Sequence, residues 1–410
     1  MHRPDKKITL LVAAITTTLG ISSANAAGFR LPEISVVGIG TSNALVANTN
    51  ELGALPYNPA NMAFHDKNGL VASVTYIGYD LKVDTTVQGG GSFDSTGNDT
   101  FWVPNLYVMA PGYGKVSFGL GINSPFGLET GWTAATFPNF GPAVAAEPAV
   151  SRIHMLNINP NIAYKINDTT SFAVGVDLYQ LRDLMFNTQA AKIEGRAENF
   201  GWNIGFTKKL DKWNFGLSYR SSVTFDVNGT LNDTVGAQTS VEFPDMLQFG
   251  AFYQATDKLG IELDVERTGW SSFDQLVISA PAAPPPYNSI TSTNNWDDTW
   301  AMRLGAIYAI NEKTNLLLGY SFDQTGQPDE HFSARVPDNE RQLFSVGVTH
   351  DYGGWTLEAS YMYVLLDDRT INSSTPYVPG VTTDANGTDA YNGTYESSVN
   401  LVGIGLSTKF

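Results

Sequence analysis

Apolar and polar residues alternate one for one over most of this chain, and that period limits its possible folds more than any motif does. From Trp213 one set of positions reads Trp213, Phe215, Leu217, Tyr219, Val223, Phe225 and Val227. The interleaved set reads Asn214, Gly216, Ser218, Arg220, Ser222, Thr224 and Asp226. Leu259, Ile261, Leu263 and Val265 alternate in the same way with Gly260, Glu262, Asp264 and Glu266. The pattern returns around Val116, Phe172, Leu316 and Trp355. Successive side chains of a strand point to opposite faces, so each run predicts a strand with one apolar face. Short polar turns punctuate the runs at Tyr113-Gly114, Asn167-Asp168, Asp211-Lys212, Thr256-Asp257, Asn311-Glu312 and Gly353-Gly354. Long polar stretches such as Gln88–Asn98, Ala280–Asn295 and Asn372–Asn392 alternate with them.

Short turns at one end and long loops at the other are the layout of an outer-membrane barrel. About fourteen strand candidates lie between Gly69 and Phe410, an even number as such barrels require. Many exceed the five or six residues usual for soluble strands. A secreted β-sandwich or β-helix would also alternate, but here Trp, Tyr and Phe gather near strand ends, as in the aromatic girdles of a membrane barrel. The last strand, Val402 to Phe410, alternates and closes on an aromatic residue, which resembles the terminal signal by which barrels are recognised for assembly. The expected fold is all-β: a transmembrane antiparallel barrel of about fourteen strands over residues 68–410. A barrel of that size encloses more room than its own side chains fill, so something must occupy the lumen or pass through it.

Residues 1–26 read as a cleaved signal peptide. Arg3, Lys6 and Lys7 precede the apolar stretch Ile8–Ile21, and Ala24-Asn25-Ala26 gives the small-x-small cleavage pattern. The apolar stretch is shorter than the ~20 residues needed to span a membrane. The formal charge of −16 argues against a nucleic-acid partner. With no Cys, the chain has no disulfides, no thiol catalysis and no Cys-ligated zinc. Its five His form no His-Glu-x-x-His, and neither a Gly-x-Ser-x-Gly elbow nor a Walker-type loop occurs. No enzyme, metal or cofactor is expected.

Residues 27–67 lack sustained alternation and are too few for an independent core. They are expected either to hang as a tail or to plug the lumen. The start Ala27-Gly28-Phe29-Arg30-Leu31, followed by Asn58-Pro59-Ala60, resembles the hatch of the FadL-type family of outer-membrane transporters for long-chain fatty acids and other hydrophobic compounds. Gly121-Ile122-Asn123-Ser124-Pro125-Phe126-Gly127-Leu128 resembles that family's third strand and the loop after it. Ala163–Asp168, Phe243-Pro244-Asp245 and Val336–Arg341 fall in the expected order. The resemblance covers essentially the whole mature chain. It implies a monomeric barrel in a Gram-negative outer membrane, corked by residues 27–67. It further implies passive uptake of hydrophobic molecules, most of all long-chain fatty acids, with lateral exit at a kink in the third strand. Aromatic hydrocarbons or terpenoids are the alternative cargo, and a general porin or a structural or adhesive barrel the alternative class.

Asn58, Pro59 and Ala60 are expected to fix the hatch, because Pro59 presets its own φ and disfavours a helical Asn58. The resemblance implies that Phe29 sits beside cargo in the lumen, with a frayed terminus as the alternative. Gly121, Asn123, Ser124 and Pro125 mark either an ordinary strand end or the kink, since Pro cannot donate to a ladder and Gly permits a bend. Phe126, Leu128, Trp132 and Phe137 suggest an exposed catching surface in a loop running to Ala149, although loop-on-loop packing would read the same way. Arg220 and Arg303 face inward by parity and are candidate partners for a carboxylate; cross-strand ion pairing with Glu262, Asp264 and Glu266 is the alternative for Arg303. Pro337, Asp338 and Arg341 are expected to form a structural motif in which Arg341 simply bridges to Asp338. Besides cargo, the expected partners are outer-membrane lipid and, through Phe410, the barrel assembly machinery.

Overall fold

The computed structural model describes residues 28–85, 90–112, 114–285, 288–378 and 384–410. The segment read from sequence as a signal peptide, residues 1–26, and parts of four loops or turns lie outside the described residues. Fourteen antiparallel strands form the wall. In chain order they are β1 (Gly69–Asp84), β2 (Thr100–Pro111), β3 (Val116–Asn123, resuming as Gly127–Gly131), β4 (Pro148–Asn167), β5 (Thr170–Thr188) and β6 (Ile193–Leu210). Next come β7 (Trp213–Arg220, then Val223–Leu231), β8 (Val235–Phe243, then Met246–Thr256), β9 (Leu259–Thr268, then Gln275–Ser279) and β10 (Ser289–Thr293, then Thr299–Ala309). The wall ends with β11 (Thr314–Asp323), β12 (Arg341–Asp351), β13 (Thr356–Leu366) and β14 (Gly393–Lys409). Each strand pairs with its neighbour in sequence, and β14 pairs back onto β1 from Gly69↔Lys409 to Asp84↔Thr394. Lipid offers the backbone no water, and this closure leaves no edge strand to be satisfied by it.

The alternation resolves into an apolar outside and a polar inside. Val174, Val176, Leu178, Leu217, Leu263, Leu304 and Ile404 are exposed on the outer face. Asn157, Asp177, Asn203, Glu262, Asp264, Glu266 and Arg303 are buried on the inner one. The inner groups are satisfied in two ways: by one another, and by residues 28–68, most of which are themselves buried.

That segment has little regular structure: one helix, α1 (Val36–Gly40), and short 3-10 turns at Leu52–Ala54 and Pro59–Phe64. Ser35 caps α1 by accepting from the Gly38 amide. Asn58 accepts from the Ala60 amide at 3.1 Å while its Nδ2 donates to the carbonyls of Val46 (2.9 Å) and Phe206 (3.1 Å), so the Asn-Pro-Ala turn is tied to β6. Ser171 on β5 donates to the Ala60 carbonyl at 2.8 Å. On the opposite side, Asp264 Oδ2 accepts from the amides of Leu45 (2.9 Å) and Val46 (3.0 Å), and Glu262 accepts from Ala47. Three consecutive N–H groups converging on carboxylates form a small anion nest turned inside out, with the protein supplying the anion.

Four strands break at one level near the long-loop end: β7 at Ser221-Ser222, β8 at Pro244-Asp245, β9 over Gly269–Asp274 and β10 over Asn294–Asp298. Proline and the polar turn residues cannot continue a ladder there. Phe243, Trp270, Phe273 and Trp296 lie at these breaks and pack into one buried apolar cluster. The third strand also breaks, but it does not end: Gly127–Gly131 resumes the ladder against β4. The stretch from Phe126 that reads in sequence as a loop therefore begins as strand.

Truncating Asp264 to Ala leaves two buried amides without acceptors, an expected cost of about 2 to 4 kcal/mol. Limited proteolysis should then cut within residues 28–68, while the heat-modifiable gel mobility of the barrel is retained. Unchanged protection of that segment would show that the nest does not hold it.

Candidate functional site

The break in β3 shapes the wall around it. β2 pairs with β3 only from Leu106↔Ile122 to Pro111↔Ser117. Further along, Thr100–Asn105 of β2 pair with β1, and Gly127–Gly131 of β3 pair with β4. Among the described residues no ladder joins these two stretches to each other. Above the gap, Thr96 N–H donates to Gly131 O at 2.8 Å. Beside it, both Asn98 N–H and Asn98 Nδ2 donate to the Glu129 carboxylate at 3.1 Å. Arg152 grips the same carboxylate at 2.8 Å. The wall is joined below and above an opening.

A cavity of about 480 Å³ occupies that opening. Its lining includes Phe101 to Pro104 of β2, Ser124, Phe126, Gly127 and Leu128 at the break, and Ile153 to Leu156 of β4. Trp102 points out of the barrel and is 68% exposed, whereas Gly28, Arg30, Asp338 and Arg341 line the same cavity from within. The space therefore reaches both faces of the wall.

The start of the described chain plugs into this place. Leu31 N–H donates to Pro125 O (2.9 Å), Gly127 N–H donates to Phe29 O (3.0 Å), and Arg30 pairs with Phe126 as an isolated bridge. Residues 29–31 thus act as a piece of strand against the backbone that the break leaves free. The Phe29 ring, 2% exposed, enters an aromatic cage. Its centroid lies 4.6 Å from Trp270, 5.4 Å from Phe273, 5.5 Å from Phe243, 6.0 Å from Trp296 and 6.2 Å from Phe126. Four of these contacts are edge-on or steeply tilted, the favourable arrangement for ring quadrupoles. Gly28 has φ +58°, and a Cβ there would lie 2.6–2.7 Å from Trp296 and Trp270, so the position admits only glycine. Burying a Phe side chain contributes about 1.5 to 3 kcal/mol. A ring held at that level can be displaced by another ring.

Gly28 is held by both its N–H and its carbonyl. Its N–H donates to Asp338 Oδ2 (3.0 Å), and its carbonyl accepts from Arg341 Nη2 (2.6 Å), which also donates to Asp338 Oδ1 (2.6 Å). Thr325 donates to Asp338 Oδ2 at 2.6 Å, and Arg369 holds the Asp338 carbonyl at 2.6 Å. Arg341 does bridge to Asp338, as the motif suggested, and the pair also grips the chain start; Pro337 lines the cavity beside it.

The other residues singled out from sequence fall in three places. Asn58, Pro59 and Ala60 are structural anchors and do not line the cavity. Gly121 and Asn123 belong to the lower half of β3; Ser124 lines the opening, and Pro125 supplies the carbonyl that Leu31 uses. Phe126 and Leu128 reach the cavity, but Trp132 and Phe137 are not an exposed catching surface. They are 3% and 1% exposed and pack, with Phe140, against Phe332, Tyr377, Tyr391 and Tyr395, one loop on another. Aromatic side chains of that size bury themselves wherever a neighbouring loop offers a matching face.

Arg220 and Arg303 do point inward, but both are neutralised. Arg220 pairs with Asp177. Arg303 lies 3.4 Å from Glu266 and 3.3 Å from Asp323, the ion pairing that parity offered as its alternative. Arg30 completes this network on Glu266. Sequence reasoning did not single out Trp270, Phe273 or Trp296 as site residues, nor Arg335. Arg335 is buried, stacks 3.6 Å over Phe186 and donates to Ser151 Oγ and Asn187 O; among the described residues it pairs with no carboxylate. The turn residues Gly269 and Asn294-Asn295 beside the two tryptophans were the available signal for the cage.

The chain is 25% identical to the long-chain fatty acid transport protein of Escherichia coli (strain K12), over 83% of this chain and 87% of that one. Among solved structures it resembles a Pseudomonas aeruginosa FadL homologue (TM-score 0.76, 18% identity, 94% of this chain and 100% of that one). It also resembles the Pseudomonas putida toluene transporter TodX (TM-score 0.64, 16% identity, 93% and 98%). Residues 17–410 match the model of the family described as outer membrane protein transport protein (OMPP1/FadL/TodX). The chain belongs to that family: it is a Gram-negative outer-membrane β-barrel that carries hydrophobic small molecules rather than catalysing a reaction.

Proposed function

We propose that this barrel takes up ring-bearing hydrophobic molecules passively, with Phe29 as its gate and the opening between β2 and β3 as its lateral exit. Residues 28–68 serve as the hatch that closes the axial route. Cargo collected at the long extracellular loops reaches the cage, replaces the Phe29 ring, and leaves sideways into the apolar phase of the membrane. The observation that carries this reading is the Phe29 ring seated in an aromatic cage beside a cavity that reaches both faces of the wall. A cage filled by a phenyl ring suits an aromatic hydrocarbon or a compact terpenoid better than a long alkyl chain. The two inward arginines offered for a fatty-acid head group are already paired. Release needs a second state of the site, and withdrawal of residues 29–31 from Pro125 and Gly127 supplies one, because it empties the cage and unpairs the window together.

A second reading, long-chain fatty acids, is favoured by Arg335, whose buried guanidinium lacks an acidic partner among the described residues. Uptake of labelled toluene and labelled oleate in cells lacking their own transporter separates the two. Toluene accumulation is expected to depend on the protein more strongly than oleate accumulation; equal accumulation of both with and without it rejects the transport reading.

Phe29→Ala removes the ring that competes with cargo. Toluene uptake should rise severalfold, while the emptied cage lowers stability by about 3 kcal/mol. Conversely, a cysteine pair at Leu31 and Gly127, in a chain with no other Cys, should stop uptake when oxidised and restore it on reduction. Undiminished uptake by the oxidised form would show that residues 29–31 need not move.

A further inference from the structure

The Gly28–Phe29 unit is itself shaped like a ligand. Its ring fills the cage, and its carbonyl, separated from the ring by the amide nitrogen, Cα and Cβ of Phe29, is held by Arg341 at 2.6 Å. Buried donors beside the Gly28–Phe29 unit go unused, among them Arg341 Nε and the indole N–H of Trp270. The indole edge bearing Cζ2 and Cε2, the latter bonded to the ring nitrogen, is the one facing Gly28. An amide carbonyl presents one oxygen to this place; a carboxylate presents two, with room for several donors, and its charge suits a guanidinium.

We propose that the preferred cargo is an arylalkanoate, an aromatic ring joined by a short saturated arm to a carboxylate, which replaces Gly28–Phe29 group for group. The proposal rests on Phe29 marking the place of cargo, and it names the class of cargo. The ring takes the cage. The carboxylate takes Arg341 from the Gly28 carbonyl and meets the two unused donors. Asp338, still held by Thr325, keeps one edge of the same guanidinium. Binding of the head group and release of the gate are then one event, because the arginine that recognises the carboxylate is the one that holds Gly28 in place. A plain hydrocarbon competes for the cage alone and so frees the gate less readily.

The test uses the full-length barrel purified in detergent and titrated with 4-phenylbutanoate, whose arm has the same number of atoms as the Gly28–Phe29 linkage. Its neutral analogue 4-phenylbutanamide and the ringless octanoate serve as comparisons. Phenylbutanoate is expected to bind about tenfold or more tightly than the amide, the usual advantage of a hydrogen bond to a charged group. Octanoate should bind more weakly than phenylbutanoate. Arg341→Gln should erase the preference for acid over amide. Asp338→Asn, which removes the competing charge and the acceptor of the Gly28 N–H, should tighten phenylbutanoate more than the amide. A purely structural role for the pair predicts equal losses for all three probes. Equal affinity of the wild-type protein for acid and amide, or a preference kept in Arg341→Gln, overturns the assignment. If toluene uptake persists in those cases, the channel itself stands. If toluene uptake never depends on the protein, the transport reading falls, whatever the titrations give.

Discussion

Backbone hydrogen bonding in a medium without water governs this molecule more than any side-chain contact does. A wall strand that breaks exposes amides and carbonyls, and in lipid each must find a partner. At the break in β3 the partners come from the chain's own beginning: Leu31 for Pro125, and Phe29 for Gly127. That exchange places Phe29 where it is. The proposed gate, the opening in the wall and the cage are therefore one construction, in which the cost of interrupting the wall is offset by the segment that closes it.

The polar interior follows from the same constraint. The inward face meets protein rather than lipid, and away from the buried apolar clusters it is polar. It carries carboxylates, arginines and asparagines, which are costly to bury unless paired. Pairing goes partly across strands, as in Arg303 with Glu266 and Asp323, and partly to the backbone of residues 28–68, as in Asp264 with Leu45 and Val46. The segment between helix α1 and the first strand is thereby held by charge and backbone as well as by apolar packing, Leu45, Val46 and Tyr57 in one cluster and Leu52, Leu55 and Met62 in another. Phe29 sits at the other extreme, in a dry aromatic setting that a cargo ring can imitate.

Much of this was legible in the sequence. The alternation at Trp213–Val227 and Leu259–Glu266 has a fixed period, and period alone determines which residues face lipid. The short turns at Asp211-Lys212 and Gly353-Gly354 were readable for the same local reason. What stayed hidden was non-local. Trp270 and Trp296 lie in the breaks of the paired strands β9 and β10, but the cage also takes Phe126 from β3, far away in the sequence. Trp132 and Phe137 look like an exposed patch until the loop bearing Tyr377 and Tyr391 covers them. Arg335 shows its lack of a carboxylate only once its neighbours are known. Ladders obey a local rule, whereas a cage built from several breaks does not.

The brace above the window has a mechanical consequence. Glu129 ties Asn98 on one side to Arg152 on the other, and the Leu106–Ile122 ladder resumes beneath. Force applied at the gap is thus carried around it, much as a lintel and a sill carry load past a doorway. On the proposed lateral route a molecule would meet a frame of set height and would never have to unzip the cylinder. The aperture should limit what passes by cross-section, so bulky fused-ring solutes are sieved by backbone rather than by affinity.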